Sequence, residues 1–163
     1  MRVGVALGSN LAQRLDLLRK ACRHLQALHD GSGPFLRSRI YETEPIDCPP
    51  GSPAFLNAAV EFSSCSPPLD LLVELQRIEI ALGRPRNHGF HAPRTIDLDL
   101  LYIDQLAFSL PDLTLPHPRI AERLFVLCPL NDICPDRILP GWTDNIRAHL
   151  AAFPSRPTAV ANL

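Results

Sequence analysis

Pro93-Arg94-Thr95-Ile96-Asp97-Leu98-Asp99-Leu100-Leu101 alternates apolar and polar residues through Ile96, Leu98 and Leu100, the period of a β-strand. Side chains on a strand alternate faces, so Asp97 and Asp99 point the same way, roughly 7 Å apart along it. Two carboxylates side by side repel, and a sheet gains no stability from placing them together. A divalent cation removes the repulsion, and Mg²⁺ favours one or two carboxylates combined with substrate phosphates. Two Mg²⁺ ions bridging phosphate oxygens would account for both acids, and Arg94 can hold the same phosphates. A solvent-facing Asp-x-Asp on a sheet edge is the plain alternative. Two features weigh against it. Leu101 shares the acid face, and Arg84-Pro85-Arg86-Asn87-His88-Gly89-Phe90-His91-Ala92-Pro93-Arg94 gathers cationic and loop-forming residues just upstream.

Outward from this strand, residues 2–7 form an apolar strand that stops at Gly8-Ser9-Asn10, where Ser9 or Asn10 can cap a helix. Leu11, Leu15, Leu18, Cys22 and Leu25 recur at helical spacing. Gly31-Ser32-Gly33-Pro34 breaks the chain, and 35–41 reads as a second strand. A proline-rich loop from Thr43 to Pro53 leads to a third strand, Phe55 to Phe62. Ser66 caps a second helix with Pro67 in its first turn and Gly83 at its end. Its core stripe is Leu71, Leu75, Ile78 and Leu82; Leu72, Gln76 and Glu79 form a partly polar neighbouring stripe. The order strand, helix, strand, strand, helix, strand predicts an α+β fold. It is the ferredoxin-like βαββαβ core, an antiparallel sheet with helices on one face. A short helix from Arg119 and another near Asp144–Ala152 add a C-terminal helical extension. Phe153 to Leu163 shows no period and is expected to be loose. One domain, 1–163, holds the whole chain.

The 163 residues suffice for a respectable core. Sixteen basic against seventeen acidic side chains give a net charge of -1, which excludes a nucleic-acid binder driven by bulk charge. No segment is long and apolar enough to span a membrane. The N-terminal apolar run is too short for a signal-peptide core. The five cysteines, Cys22, Cys48, Cys65, Cys128 and Cys134, are odd in number and form no C-x-x-C pair. They argue against structural zinc and a disulfide framework, and for small buried hydrophobes in a reducing cytoplasm. Nothing demands oligomerisation, so a monomer is expected.

Four further groups carry possible chemistry. Arg84, Arg86, Arg94 and Arg123 suit phosphate, because a guanidinium fork matches two oxygens and keeps its charge. Any one of them alone reads better as a solvated loop arginine; it is their crowding around an acidic strand that points to phosphate. Phe55 and Asn57 share a strand face; Asn57 can exchange hydrogen bonds with a flat heterocycle and Phe55 can stack on it. His117 stands between Pro116 and Pro118, facing phosphate or satisfying a turn. Gly8-Ser9-Asn10 could bind an anion, but without a G-x-G-x-x-G or Walker A pattern it reads as a plain cap.

At this point the chain resembles the 6-hydroxymethyl-7,8-dihydropterin pyrophosphokinase family. The resemblance rests on Gly8-Ser9-Asn10, Tyr41-Glu42-Thr43, Phe55-Leu56-Asn57-Ala58-Ala59-Val60, Gln76-Arg77-Ile78-Glu79, Gly83-Arg84-Pro85-Arg86, Pro93-Arg94-Thr95-Ile96-Asp97-Leu98-Asp99, Pro116-His117 and Arg123-Leu124-Phe125. It covers most of residues 1–135. It implies transfer of the β,γ-pyrophosphoryl group of ATP to the pterin hydroxymethyl oxygen, leaving AMP. It implies two Mg²⁺ ions on Asp97 and Asp99, with Arg84 and Arg94 catalytic beside them. The positions matching nucleotide contacts are Leu72, Gln76, Glu79, Arg84, Arg86, His91, Arg94, Leu100, His117 and Arg123. Those matching pterin contacts are Thr43, Pro45, Asn57 and the aromatic pair Phe55 and Phe125. Phe90, His91 and Pro118 depart from residues common in the family, and bear on the adenosine contacts. Two alternatives stay open: a two-metal phosphohydrolase, which has no need of Asn57 between two aromatics, and a non-catalytic ferredoxin-like ligand-binding domain, which has no need of the acid pair.

Overall fold

A computed structural model of the chain describes residues 1–11, 13–45, 51–84 and 95–163. Its main sheet contains β1 (Arg2–Ser9), β2 (Leu36–Arg37), β3 (Arg39–Thr43), β4 (Phe55–Ser63), β5 (Asp97–Ile103) and β8 (Ala159–Asn162). The order is β5-β1-β4-β3-β8, with β2 beside β4, and every pairing is antiparallel. A small ribbon pairs β6 (Phe108–Ser109) with β7 (Thr114–Leu115). The helices are α1 (Arg14–Ala27), α2 (Pro68–Ala81), α3 (Leu124–Ile133) and α4 (Ile146–Ala151).

Helices cover both faces, where the sequence suggested one. Val3, Val5 and Leu7 of β1, with Ala58, Val60 and Phe62 of β4, meet Leu18, Cys22 and Leu25 of α1 and Leu71, Leu75 and Ile78 of α2. On the other face Tyr41, Ala59, Leu101 and Tyr102 meet Val126, Leu127 and Leu130 of α3 and Ile146 and Leu150 of α4. The C-terminal helices are therefore a third layer, and β4, between them and α1, is buried on both faces. Full burial of a side chain such as Phe62 contributes about 2–3 kcal/mol.

The strand periodicity has one interruption. Val5 pairs with Leu100 but Gly4 with Tyr102, so β5 carries an extra residue at Leu101. This bulge turns both Leu101 and Tyr102 towards α3, whereas strict alternation would send Tyr102 the other way. The Tyr102 ring lies against Gly4, where a Cβ would stand 2.3 Å from a ring carbon. Its hydroxyl donates to Glu61 Oε2 (2.6 Å), which also accepts from Arg137 (2.5 Å), while Arg2 holds Oε1 (2.7 Å).

Several expected boundaries move. Neither Ser9 nor Asn10 caps α1; Gln13 is its N-cap, and the Ser9 hydroxyl instead donates to the Thr95 carbonyl (2.6 Å), tying the end of β1 to the approach to β5. Pro67, not Ser66, is the N-cap of α2. The helix sought from Arg119 begins at Leu124, with Arg123 as its N-cap. The segment expected to be loose forms β8, pairing Arg39 with Asn162 and Tyr41 with Ala159. Cys22 and Cys128 are buried as expected, Cys134 partly so, and Cys65 is exposed.

Candidate active site at the edge of the sheet

Register brings distant stretches into one row. Gly8 of β1 pairs with Asp97 of β5 on one side and Asn57 of β4 on the other, and Asn57 pairs with Tyr41 of β3. One step along, Ala6 lies between Asp99 and Ala59. Adjacent strands are about 4.8 Å apart, so Asp97 and Asn57 stand roughly 10 Å from each other. Gly8 projects nothing between them: a Cβ there would lie 3.3 Å from Asn57 Oδ1 and 4.0 Å from Asp97 Cβ. The gap runs from an acidic strand to an amide.

Asn57 is only 5% exposed. Its Nδ2 donates to Thr43 Oγ1 (2.8 Å), which fixes the amide orientation and leaves Oδ1 facing the gap beside Gly8. Phe55 and Phe125 are half-buried. Phe125 enters in the first turn of α3, and the Arg123 guanidinium carbon lies 5.5 Å from its ring centre.

Both acids are half-buried and each meets an arginine. Arg84 Nη1 donates to Asp97 Oδ1 (2.7 Å) and also pairs with Glu79. Arg123 Nη1 donates to Asp99 Oδ2 (3.1 Å). Arg84 follows Gly83, whose positive φ of 92° lets the chain leave α2 towards β5. Glu79, on the last turns of α2, accepts from the Leu98 amide (2.7 Å), so it fastens α2 to the acidic strand. Burial pushes its carboxyl up to about 7; the Leu98 amide and Arg84 oppose the shift without cancelling it.

His117 follows the cis Leu115–Pro116 peptide. Its amide donates to the Leu101 carbonyl (2.7 Å) and its Nδ1 accepts from the Arg119 amide (3.2 Å). Burial holds its pKa below the ordinary value, with nearby Asp99 pulling upward and Arg123 and Arg119 downward. Leu72 packs at the core margin, Gln76 is exposed, and Leu100 is 3% exposed on the α1–α2 side of β5. Pro45 is half-buried. Arg86, His91 and Arg94 lie outside the described residues, as do Phe90 and parts of the loops 43–53 and 84–93.

Among the described residues, no three or more His, Cys, Asp and Glu side chains converge as a metal cage. Two carboxylates on one strand face, with arginines beside them, suit a hard cation that shares its shell with phosphates. Two features escaped the sequence. The importance of Gly8 depends on a register that local pattern does not specify. The chain's last residues also line a cavity of about 580 Å³, in which Arg156, Pro157 and Val160 face Thr43, Leu124 and Phe125.

A strand of paired acids joined by a gap to a buried amide is an arrangement suited to bringing a phosphate donor to a heterocycle. The profile of the 7,8-dihydro-6-hydroxymethylpterin-pyrophosphokinase family matches residues 4–135, and the chain belongs to that family. It is 42% identical over 132 residues to the 2-amino-4-hydroxy-6-hydroxymethyldihydropteridine pyrophosphokinase of Bacillus subtilis, covering 80% of this chain and 76% of that one. The enzyme of the same name from Pseudomonas aeruginosa is 39% identical over 139 residues, covering 85% and 84%. Among solved structures, wild-type HPPK-DHPS of Plasmodium falciparum with pteroate superposes at a TM-score of 0.67 and 16% identity. It covers 92% of this chain and 42% of that longer one, a likeness of fold.

Proposed function

We propose that the protein transfers the pyrophosphoryl group of ATP to the hydroxymethyl group of 6-hydroxymethyl-7,8-dihydropterin, giving AMP and the pterin diphosphate for folate synthesis. Family membership supports the reaction, and the row Asp97–Gly8–Asn57 supports its location in this chain.

In this reading Asn57, oriented by Thr43, reads the pterin edge, with Pro45 beside it and Phe55 and Phe125 against its two faces. The hydroxymethyl group points over Gly8 towards β5. Arg84, Arg86, Arg94, His117 and Arg123 hold the ATP phosphates, and Leu72, Gln76, Glu79, His91 and Leu100 line the nucleotide side. Asp97 and Asp99 hold two Mg²⁺ ions, which when bound neutralise phosphate charge and polarise the transferred group. Arg84 and Arg94 stabilise the charge that develops on the phosphoryl oxygens, a task of positioning more than covalent chemistry. His117, kept largely neutral by burial, offers a ring nitrogen to phosphate without a fixed charge. The order β5-β1-β4-β3 supports a ferredoxin-like core within one domain, 1–163, and we read the protein as a cytoplasmic monomer. No helix among the described residues is long and apolar enough to cross a membrane.

Incubation with ATP, Mg²⁺ and 6-hydroxymethyl-7,8-dihydropterin, followed by separation of the nucleotides, tests the proposal. Pterin-dependent AMP without free phosphate is the expected result. ADP or phosphate formed without pterin would mark a phosphohydrolase. Tight ligand binding without turnover would mark a binding domain.

A further inference from the structure

Asp97 and Asp99 repel one another across one strand face, and the fold answers each with a guanidinium: Arg84 Nη1 at 2.7 Å from Asp97 and Arg123 Nη1 at 3.1 Å from Asp99. Neither arginine belongs to β5. Arg84 leaves the end of α2, beside the Gly83 turn, and Arg123 is the N-cap of α3. Their backbones are anchored in two different layers while their long side chains converge on one strand. Each also has a second resting place within reach, Glu79 for Arg84 and the Phe125 ring for Arg123.

We infer that Arg84 and Arg123 pair with the two acids before nucleotide binds and exchange them for phosphate when nucleotide arrives, so that cation binding at Asp97 and Asp99 is coupled to nucleotide binding through these two side chains. This rests on the reading of the acids as cation ligands given above. A carboxylate oxygen held by a guanidinium is a poorer cation ligand, because the arriving cation must displace or repel the positive charge beside it. Phosphate oxygens offer each arginine an equivalent partner. Once the arginines turn to phosphate, each carboxylate loses one competing cation. Every charge stays partnered through the exchange, and no half-buried acid is left alone beside another. The coupling is reciprocal: cation at the acids tightens nucleotide by the same factor as nucleotide tightens cation.

The test uses Mn²⁺ alone, with no nucleotide or pterin, read by the electron paramagnetic resonance of the free ion. Arg123→Gln and Arg84→Gln are expected to bind Mn²⁺ more tightly than wild type, by roughly 2- to 5-fold for removal of one competing charge pair. Arg123→Lys, which keeps the charge, should return towards wild type. Arg147→Gln, which removes a cation from the exposed pair with Asp136, should change nothing and so excludes a mere net-charge effect. With a non-hydrolysable ATP analogue present, the tightening of Mn²⁺ by nucleotide should shrink in the Gln variants by the factor gained without it. Circular dichroism checks folding, and either Gln variant suffices if the other fails to fold. Unchanged or weaker Mn²⁺ affinity in the folded Gln variants, or no Mn²⁺ binding in any of them, overturns the inference. The AMP assay is separate: AMP with unaltered Mn²⁺ affinities would sink the exchange and leave the enzyme, whereas tighter Mn²⁺ binding without AMP would do the reverse.

Discussion

Asp97 and Asn57 face the same side of the sheet two strands apart, and the residue in register between them, Gly8, contributes no side chain. An alanine methyl at Gly8 would press to 3.3 Å from Asn57 Oδ1, inside the path from the amide to the acids. Gly8→Ala is expected to lower kcat/KM for the pterin by more than about tenfold, since misplacement of this order is costly to transfer. Binding of ATP, measured calorimetrically without pterin, should change little. Equal loss for both ligands would place the gap elsewhere.

Asp97→Ala and Asp99→Ala should each abolish transfer and leave the fold intact. Each removes a proposed cation ligand and also the repulsion between neighbours. The ion pairs given up are partly solvated and worth about 1 kcal/mol or less. Arg84 retains Glu79, and Arg123 retains the Phe125 ring. Chromatography of the nucleotides and a thermal melt check the two halves of the expectation; near-normal activity in either variant would remove that acid from the site.

Glu79 should make stability depend on pH in an unusual direction. Its folded carboxyl titrates near 7 against an ordinary 4.5, because burial disfavours the charge. The folded state therefore binds more protons than the unfolded state between these values, and stability falls as pH rises through the window. The penalty is complete above pH 7, at about 3 kcal/mol from the size of the shift. Glu79→Gln keeps an acceptor for the Leu98 amide and removes the ionisation. In urea unfolding the variant should gain on wild type at pH 8 and lose that advantage near pH 4.5. A difference independent of pH would mean that Glu79 is not the group responsible.

Glu61 tests the opposite end of the sheet. It is 3% exposed and accepts from Arg2, Tyr102 and Arg137. Glu61→Gln leaves two arginines facing a neutral amide, and breaking a buried charge cluster in this way costs about 3–5 kcal/mol. A large drop in the denaturation midpoint with unchanged KM for both substrates is expected.

Much of this was legible in advance where local pattern and tertiary role coincide. The alternation around Asp97 and Asp99 specifies strand and face, and the stripe of Leu71, Leu75 and Ile78 specifies the buried side of α2. Legibility failed where a residue answers to a distant partner. Ser9 has the chemistry of a cap but bonds to Thr95, because β5 lies beside it in the sheet. The apolar run Ala159-Val160-Ala161 is too short and follows too irregular a stretch to announce a strand, yet backbone pairing with β3 orders Ala159–Asn162. Of the candidate site, the acids, Asn57 and Arg84 could be named from residue type; the Gly8 gap could not, since only strand register reveals it.

The bulge at Leu101 acts as a phase shifter. The acidic half of β5 and its aromatic half each keep a two-residue rhythm, but they are joined one beat out of step. Flattening the bulge without deleting a residue would force a choice: either Tyr102 turns away from Glu61, or Asp97 and Asp99 turn into the helices of the opposite layer; deleting Leu101 would leave both on their present face. One surplus residue lets a single strand present two acids and a buried hydroxyl on the same side, at separations that an unbroken alternation would put on opposite faces.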